Sequence, residues 1–278
     1  MYQAFFGLQA FPFGITPDTE YLFNNASHQE AINTLLLAVN SGEGFVKVTG
    51  EVGTGKTLLC RRFLASLDDN TITAYLPNPL LEPRTLLLAI AEELAIPLEK
   101  YDYQFHLLRY FNDALMKWNA EGKRVLVCID EAQAMPLETL ESLRLLSNLE
   151  TEKQKLMQVV MFGQPELNEK LSDPSVRQLR QRITFDYHLQ GLDRSEVEHY
   201  LAHRMRIAGY RGNAPVFSRA AVRALHAASH GTPRVVNILA HKSLLVAFGE
   251  GKEQVGLGHV MQAARDSASI VRRFRWWG

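Results

Sequence analysis

The chain has 278 residues, 46% of them hydrophobic, and its 30 lysines and arginines balance its 30 aspartates and glutamates. This length suits one large domain or two small ones, and the zero net charge excludes a global electrostatic attraction to nucleic acid or to an anionic membrane. Cys60 and Cys128 lie in apolar stretches without metal-binding spacing, which indicates reduced, structural thiols in a cytosolic protein. The N-terminus lacks the basic start and cleavage site of a secretory signal, and no apolar run reaches the roughly 18 residues of a membrane span.

The first two thirds of the chain alternate strand and helix patterns. An irregular, aromatic-rich segment over residues 1–25 precedes a helical pattern that begins at Ser27. The strands are predicted from short apolar runs over residues 45–50, 71–78, 124–130, 157–163 and 182–189. Strands that alternate with helices predict an α/β fold with a parallel sheet covered on both faces.

The last third contains helical patterns only. Ser195 and Glu198 predict a capping box at the start of one helix, and Ser218 and Thr232-Pro233 predict the starts of two more. We therefore expect an α/β domain that includes the N-terminal segment, a small all-α domain and a basic, aromatic tail, over residues 1–191, 192–270 and 271–278.

The sequence GEVGTGKT, residues 50–57, fits the phosphate-binding P-loop pattern, with a predicted strand before it and a predicted helix after it. The backbone N–H groups of such a loop surround phosphates, Lys56 neutralises the outer ones, and the Thr57 hydroxyl binds Mg²⁺. The pattern therefore predicts an ATP site with Mg²⁺. Its expected nucleotide contacts are Gly50, Glu51, Val52, Gly53, Thr54, Gly55, Lys56, Thr57 and Leu58.

Two acidic residues follow the predicted strand 124–130, in the sequence IDEAQ. Asp130 is expected to hold the Mg²⁺ shell together with Thr57, and Glu131 is expected to polarise a water toward the γ-phosphate. Gln164 ends a neighbouring apolar strand and could orient the same water. The alternative interpretation is an ordinary acidic helix start and a strand-ending amide.

The sequence RQLRQRI places three arginines close together in a chain of zero net charge. Arg177 and Arg180 share a helix face, and Arg182 lies where the fifth strand begins. The residues alone leave three interpretations open: a solvated helix face, a DNA-binding patch, or a charge delivered to a neighbouring subunit's active site.

The whole chain resembles the AAA+ ATPases of the general secretion pathway protein A family. Among them it is most similar to short members of the MshM type, which serve biogenesis of the mannose-sensitive haemagglutinin (MSHA, type IV) pilus. The resemblance implies a P-loop NTPase (AAA+) core with a five-stranded parallel sheet, in which the strand ending at Gln164 lies between the other two site strands. It further implies a small all-α lid, Mg-ATP hydrolysis and a ring-like homo-oligomer. The matching segments are FFGLQAFPFGITPD, GEVGTGKT, IDEAQ, LRLLSNLETEKQKLMQVV, GQPEL, RQLRQRI and HGTPRVVN.

The same resemblance implies roles for the arginines. Arg180 and Arg182 match the arginine finger that completes a neighbour's site in trans, whereas Arg177 fits a structural contact. Arg234, in HGTPRVVN, matches the sensor arginine that reaches from the lid to the γ-phosphate. An arginine at a helix N-terminus is unfavourable unless an anion lies nearby, which agrees with that role.

The resemblance also implies a cellular setting: a cytoplasmic ATPase with pilus or type II secretion proteins of the inner membrane as partners. The tail VRRFRWWG suits a membrane–water interface, a nucleic acid or a protein groove, and longer family members continue from here into a membrane span. We expect at most peripheral membrane contact through this tail. Two alternatives remain: an ATP-dependent DNA-binding regulator of the transposition-helper class, which the zero net charge disfavours, and a nucleotide-gated scaffold without hydrolysis.

Overall fold

The structure is a computed structural model that describes residues 2–15, 21, 23, 25–97, 104–147, 149–150 and 155–267. The basic, aromatic tail over residues 271–278 lies outside the described residues. The chain forms two compact units. The sheet unit comprises residues 28–50 and 56–189, and the helical unit comprises residues 1–27, 51–55 and 190–278.

The sheet unit contains one five-stranded, all-parallel sheet with the order β2-β3-β4-β1-β5. This order confirms that the strand ending next to Gln164 lies between the other two site strands. Every residue of the central strands β1 and β4 is buried, including the polar Lys47 and Thr49 of β1. The strands are β1 Phe45–Gly50, β2 Thr71–Leu76, β3 Arg124–Ile129, β4 Gln158–Gly163 and β5 Ile183–Leu189.

Helices connect the strands and build the helical unit. In chain order they are α1 Tyr2–Phe5, α2 Ala26–Asn40, α3 Lys56–Ala65, α4 Pro83–Glu93, α5 Gln104–Ala120, α6 Leu137–Ser147, α7 Glu166–Leu171, α8 Arg177–Arg180, α9 Arg194–Ile207, α10 Arg219–Ser229, α11 Pro233–Gly249 and α12 Leu257–Asp266. Short 3₁₀ turns span Ala132–Ala134 and Pro174–Val176. Of the helices within the described ranges, none combines the length and apolar character needed to cross a bilayer.

Two apolar layers cover the two faces of the sheet. Phe45 of β1 faces one layer, with helices α4, α5 and α6, and its neighbours Val46 and Val48 face the other, with helices α2 and α3. The alternation follows from the two-residue period of a strand.

The N-terminal segment groups with the helical unit, whereas the sequence analysis includes residues 1–25 in the α/β domain over 1–191. Tyr2, Phe6 and Phe13 are buried in the same apolar core as Leu201 and Leu239. Burial of these large side chains against α9 and α11 removes apolar surface from water, and it is this long-range packing that assigns the segment.

The capping box of α9 also differs from the prediction. Asp193, not Ser195, is the N-cap: its carboxylate accepts from Glu196 N at 2.8 Å, and Glu196 Oε2 accepts from Asp193 N at 2.9 Å. Ser195 instead donates its hydroxyl to Asp193 Oδ1. The predicted helix starts at Ser218 and Thr232 are confirmed as the N-caps of α10 and α11.

Candidate nucleotide-binding site

The P-loop connects the end of β1 to the start of α3. Gly53 and Gly55 adopt φ angles of 85° and 97°, in the region that favours glycine because a Cβ would be strained there. Thr54 closes the turn by donating both its N–H, at 3.3 Å, and its hydroxyl, at 2.9 Å, to Glu51 O. The resulting turn leads directly into the N-terminus of a ten-residue helix, an arrangement that suits phosphate binding.

The remaining P-loop residues differ in exposure. Lys56 is buried, and its Nζ donates to Gly50 O at 2.8 Å, so the ammonium lies against the carbonyl that ends β1. Val52 has an exposed fraction of 51%, Glu51 is exposed, and Leu58 is partly buried in the first turn of α3. The Lys56 ammonium is thus held at the carboxyl end of β1.

A buried carboxylate joins the P-loop helix to strand β3. Asp130 is 2% exposed, and its Oδ2 accepts from the Thr57 hydroxyl at 2.6 Å, while its Oδ1 accepts from Glu131 N at 2.9 Å. A hydroxyl and a carboxylate in contact form an oxygen donor set that fits Mg²⁺, which typically takes one or two protein oxygens and completes its shell with water and phosphate. The structure therefore brings the two predicted metal ligands together.

Tyr75, which the sequence analysis does not assign to the site, also lies beside this carboxylate. Its hydroxyl is 3.5 Å from Asp130 Oδ2. Burial raises the pKa of Tyr75 to about 12, and the neighbouring Asp130 charge adds to the rise, so the phenol remains a hydrogen-bond donor at neutral pH.

Glu131 and Gln164 meet at the carboxyl ends of β3 and β4. Gln164 Nε2 donates to Glu131 Oε2 at 3.0 Å. Glu131 has a left-handed backbone, φ 52° and ψ 37°, a conformation that costs a non-glycine residue roughly 1–3 kcal/mol and that clusters at functional sites. The predicted water-polarising pair is therefore in direct contact.

Gln133 also belongs to this cluster, although the sequence alone does not predict it. Its Nε2 also donates to Glu131 Oε2, and its Oε1 accepts from Gln164 N at 3.0 Å. The only available signal is its presence inside IDEAQ, because the contact with Gln164 arises from the adjacency of β3 and β4 in the sheet.

The candidate finger arginines lie at the opposite, amino edge of the sheet. Strand β5 pairs with β1 from Phe45 opposite Ile183 to Gly50 opposite Leu189, so the P-loop strand ends where β5 ends. Six residues at about 3.3 Å each separate the two edges by roughly 17–20 Å. The structure therefore does not bring Arg180 or Arg182 to the Gly50 end of β1 in the same chain.

The three arginines also differ from one another. Arg177 and Arg180 are exposed on α8, and within the described part of the chain neither forms an ion pair. Arg182 is partly buried, and its charge adds to that of Lys155 in holding the pKa of the Glu150 carboxyl below its usual value. Arg182 is thus engaged within its own chain.

Arg234 lies in the first turn of α11 and contacts the P-loop. Its N–H donates to Gly53 O at 3.2 Å, and a Cβ built on Gly53 would lie 2.4 Å from Arg234 Cβ. Gly53 is therefore needed both for its backbone angle and for close approach of the helix.

Comparisons with known proteins agree with this geometry. Residues 39–171 match the family model described as an AAA domain. The chain is 42% identical over 276 residues to General secretion pathway protein A of Aeromonas hydrophila, an alignment that covers 99% of this chain and 50% of that protein. The chain thus spans about half the length of this curated relative.

Solved structures of lower sequence identity show the same fold. Cdc6p from Pyrobaculum aerophilum has a TM-score of 0.65 at 15% identity and covers 91% of this chain and 70% of its own. The ADP form of the Aeropyrum pernix ORC2 protein has a TM-score of 0.61 at 17% identity, covering 95% and 74%. The RuvB Holliday junction branch migration motor of Thermotoga maritima has a TM-score of 0.56 at 17% identity, covering 92% and 73%. Together with the P-loop and the AAA-domain match, these similarities show that the chain has the AAA fold of P-loop NTPases.

Proposed function

We propose that the protein hydrolyses ATP to ADP and phosphate with Mg²⁺ in a ring-like homo-oligomer, and that it drives or gates assembly of a type IV, MSHA-like pilus or a type II secretion machine. The observation that carries the ATPase mechanism is the cluster of Asp130, Glu131 and Gln164 at the carboxyl ends of β3 and β4, with Thr57 of α3 in contact with Asp130. Thr57 lies within hydrogen-bond distance of Asp130, and Gln164 lies within hydrogen-bond distance of Glu131.

The P-loop supplies the binding part of the mechanism. Backbone N–H groups of residues 50–58 and the Lys56 ammonium bind the phosphates, and Thr57 and Asp130 hold Mg²⁺. When bound there, the ion would neutralise negative charge that develops on the phosphates. The short Thr57–Asp130 hydrogen bond supports this assignment because the two ligands are already in contact.

Glu131 and Gln164 supply the hydrolytic part. Glu131 accepts a proton from water as the water oxygen bonds to the γ-phosphorus and the bond to the leaving ADP oxygen breaks. Gln164 holds the Glu131 carboxylate and orients the same water. A positioned carboxylate base favours hydrolysis over the alternative of a scaffold that only binds nucleotide.

The arginines complete the site from two sources. Arg234 serves as the sensor arginine on the helical unit, which acts as the lid domain, and its contact with Gly53 supports that role. Arg180, with Arg182 as the second candidate, acts as a finger on a neighbouring subunit, where a guanidinium can stabilise the transition state. The separation of α8 from the P-loop end of β1 supports action in trans.

The cellular role rests on similarity to General secretion pathway protein A, 50% of which the chain spans. We assign the chain to the MshM type, with inner-membrane proteins of a pilus or secretion machine as partners. It is cytoplasmic, with at most peripheral membrane contact through residues 271–278. Loss of pilus assembly in a deletion strain, with no rescue by Glu131→Gln, would be the expected result; normal pili would contradict the role.

The biochemical test is steady-state ATP turnover of wild type and Glu131→Gln. Glu131→Gln keeps the size of the side chain and removes the base, so we expect turnover to fall about 10²- to 10⁴-fold while ATP still binds. Glu138→Gln, an exposed position in the first turn of α6, is the matched control. Near-normal turnover of Glu131→Gln would contradict the mechanism.

A DNA-binding regulator is the second candidate. Arg219 and Arg223 are exposed one turn apart on α10 and offer a small basic face. Binding to duplex DNA that weakens steeply with salt would support this candidate. We expect no such binding.

A further inference from the structure

The side-chain amide of Gln133 forms hydrogen bonds to residues that follow two different strands. The donor side, Nε2, contacts the carboxylate of Glu131 after β3, and the acceptor side, Oε1, contacts the backbone N–H of Gln164 after β4. Together with the bond from Gln164 Nε2 to Glu131 Oε2, these contacts close a ring of three hydrogen bonds.

The backbone that carries Gln133 is held firmly. The 3₁₀ turn Ala132–Ala134 follows Glu131 directly, and Ala132 and Met135 are both fully buried. Lys170 Nζ donates to Met135 O at 2.7 Å, which fixes the end of the turn. The Gln133 side chain therefore extends from a rigid base.

Gly163 leaves the space that this amide needs. A Cβ at position 163 would lie 3.3 Å from Gln133 Oε1 and 2.8 Å from Leu167 Cδ2. A larger residue at the end of β4 would press on Leu167 and crowd the Gln133 amide.

We propose that Gln133 is a positioning residue that fixes the Glu131 carboxylate for proton transfer and ties it to the end of β4. This inference rests on the proposed role of Glu131 as the base. In this role Gln133 binds neither the metal nor the phosphates, and it does not contact the water directly.

The hydrogen bonds explain how one amide defines the direction of proton transfer. A carboxylate oxygen offers about two lone-pair sites, and Glu131 Oε2 receives two N–H donors, one from Gln133 and one from Gln164. Among the described residues none donates to Oε1. Oε1 is therefore the oxygen left to accept the proton of water, and the two amides keep it from exchanging places with Oε2.

The acceptor side of Gln133 gives it a second function. Because Oε1 accepts from Gln164 N, any shift of the β4 end moves the amide that holds Glu131. Gln133 thus makes the orientation of the base depend on the position of Gln164.

Two variants separate the donor from the acceptor. Gln133→Glu keeps an acceptor for Gln164 N but replaces the donor to Glu131 with a repelling carboxylate, and Gln133→Met removes both polar atoms at similar length. We expect both variants to lower kcat about 10- to 100-fold with KM for ATP and the melting temperature little changed, since a misplaced base slows chemistry and leaves binding intact. Gln254→Met, which removes an exposed amide of the helical unit, is the matched control.

A double-mutant cycle with Gln164→Met distinguishes the positioning role from a general effect on structure. The two amides act on one carboxylate oxygen, so the combined loss in kcat should be clearly smaller than the product of the single losses. Multiplicative effects would contradict the shared role.

The outcomes distinguish the inference from the function on which it rests. A wild-type kcat in Gln133→Glu would overturn the positioning role, because turnover would then not need the hydrogen bond that Gln133 donates to Glu131. A loss of kcat that accompanies an equal loss of folded protein in both variants also overturns it. Normal turnover in Glu131→Gln would instead refute the proposed base, and with it the hydrolytic mechanism.

Discussion

At the scale of single residues, two hydroxyl groups differ in their distance from Asp130, the proposed Mg²⁺ ligand. Thr57 and Tyr75 both lie within donor distance of Asp130 Oδ2, but at 2.6 Å and 3.5 Å. A bond at the limit of hydrogen-bond distance contributes less than a short one. The two hydroxyls should therefore affect Mg²⁺ affinity to different extents.

Tyr75→Phe tests this difference. We expect the Mg²⁺ concentration for half-maximal ATP turnover to rise less than about tenfold, because only an outer hydrogen bond is lost, and Thr57→Val to exceed that rise. Tyr187→Phe, which removes a hydroxyl bonded to Glu30 at 3.2 Å, is the control. An equal effect of Tyr75→Phe and Thr57→Val would show that the phenol is as important as the ligand itself.

The sequence points to individual candidate site residues where a motif contains them, but not where the sheet brings them together. Asp130 and Glu131 are recognisable because they end a buried strand downstream of a P-loop. Tyr75 and Gln133 are not, because their contacts depend on which strands are neighbours, and strand order is not a local property of the sequence.

At the scale of elements, the contact between α11 and the P-loop is close enough to restrict the residue at position 53. Gly53 combines a φ of 85° with close approach of Arg234, whereas Gly42 has a φ of 74° with open space around it. A comparison of Gly53 with Gly42 therefore separates the free-energy cost of backbone strain from that of overpacking.

Gly53→Ala should therefore destabilise the protein more than Gly42→Ala. We expect about 1–2 kcal/mol from the left-handed backbone at either position, and about 1–3 kcal/mol more at Gly53 from the collision with Arg234. Equilibrium denaturation of the two variants measures the difference. If both lose the same free energy of unfolding, α11 yields to the added methyl group and the contact is not tight.

Elements were predictable to the extent that their burial is periodic and uninterrupted. Strands β3 and β4 are buried on both faces, so their apolar runs are clear. Helix α5 was not predicted, although Leu107, Phe111 and Leu115 recur every four residues and are buried. The N-cap of α9 was placed two residues late because Asp193 and Ser195 both precede a glutamate by three positions, and only the fold selects Asp193.

At the scale of the whole molecule, the N-terminal segment shows what local patterns cannot reveal. Tyr2 and Phe6 pack into a core formed by residues nearly 200 positions away. Their apolar character is evident from the sequence, but their partners are not, because these contacts join distant parts of the chain. The sequence places a boundary near residue 191 because the strand pattern ends there, and the two compact units divide between residues 189 and 190.

At the level of the proposed assembly, ATP sites are shared between neighbouring subunits. If Arg180 completes a neighbour's site, ATP turnover per chain should rise with protein concentration to a plateau, and Arg180→Ala should lower that plateau by about 10³-fold. Arg182→Ala should have the smaller effect because Arg182 already interacts with Glu150. Arg177→Ala, on the same exposed face of α8, is the matched control.

Mixing two inactive variants tests the sharing of sites directly. Arg180→Ala keeps Glu131 and lacks the finger, whereas Glu131→Gln keeps the finger and lacks the base. In an equimolar mixture about one quarter of the head-to-tail interfaces pair an intact base with an intact arginine, so turnover should recover to about that fraction of wild type. No recovery in subunits shown to co-assemble, or a wild-type rate that is independent of concentration in a monomer, would return Arg180 to the surface of its own chain and leave the site complete without a neighbour.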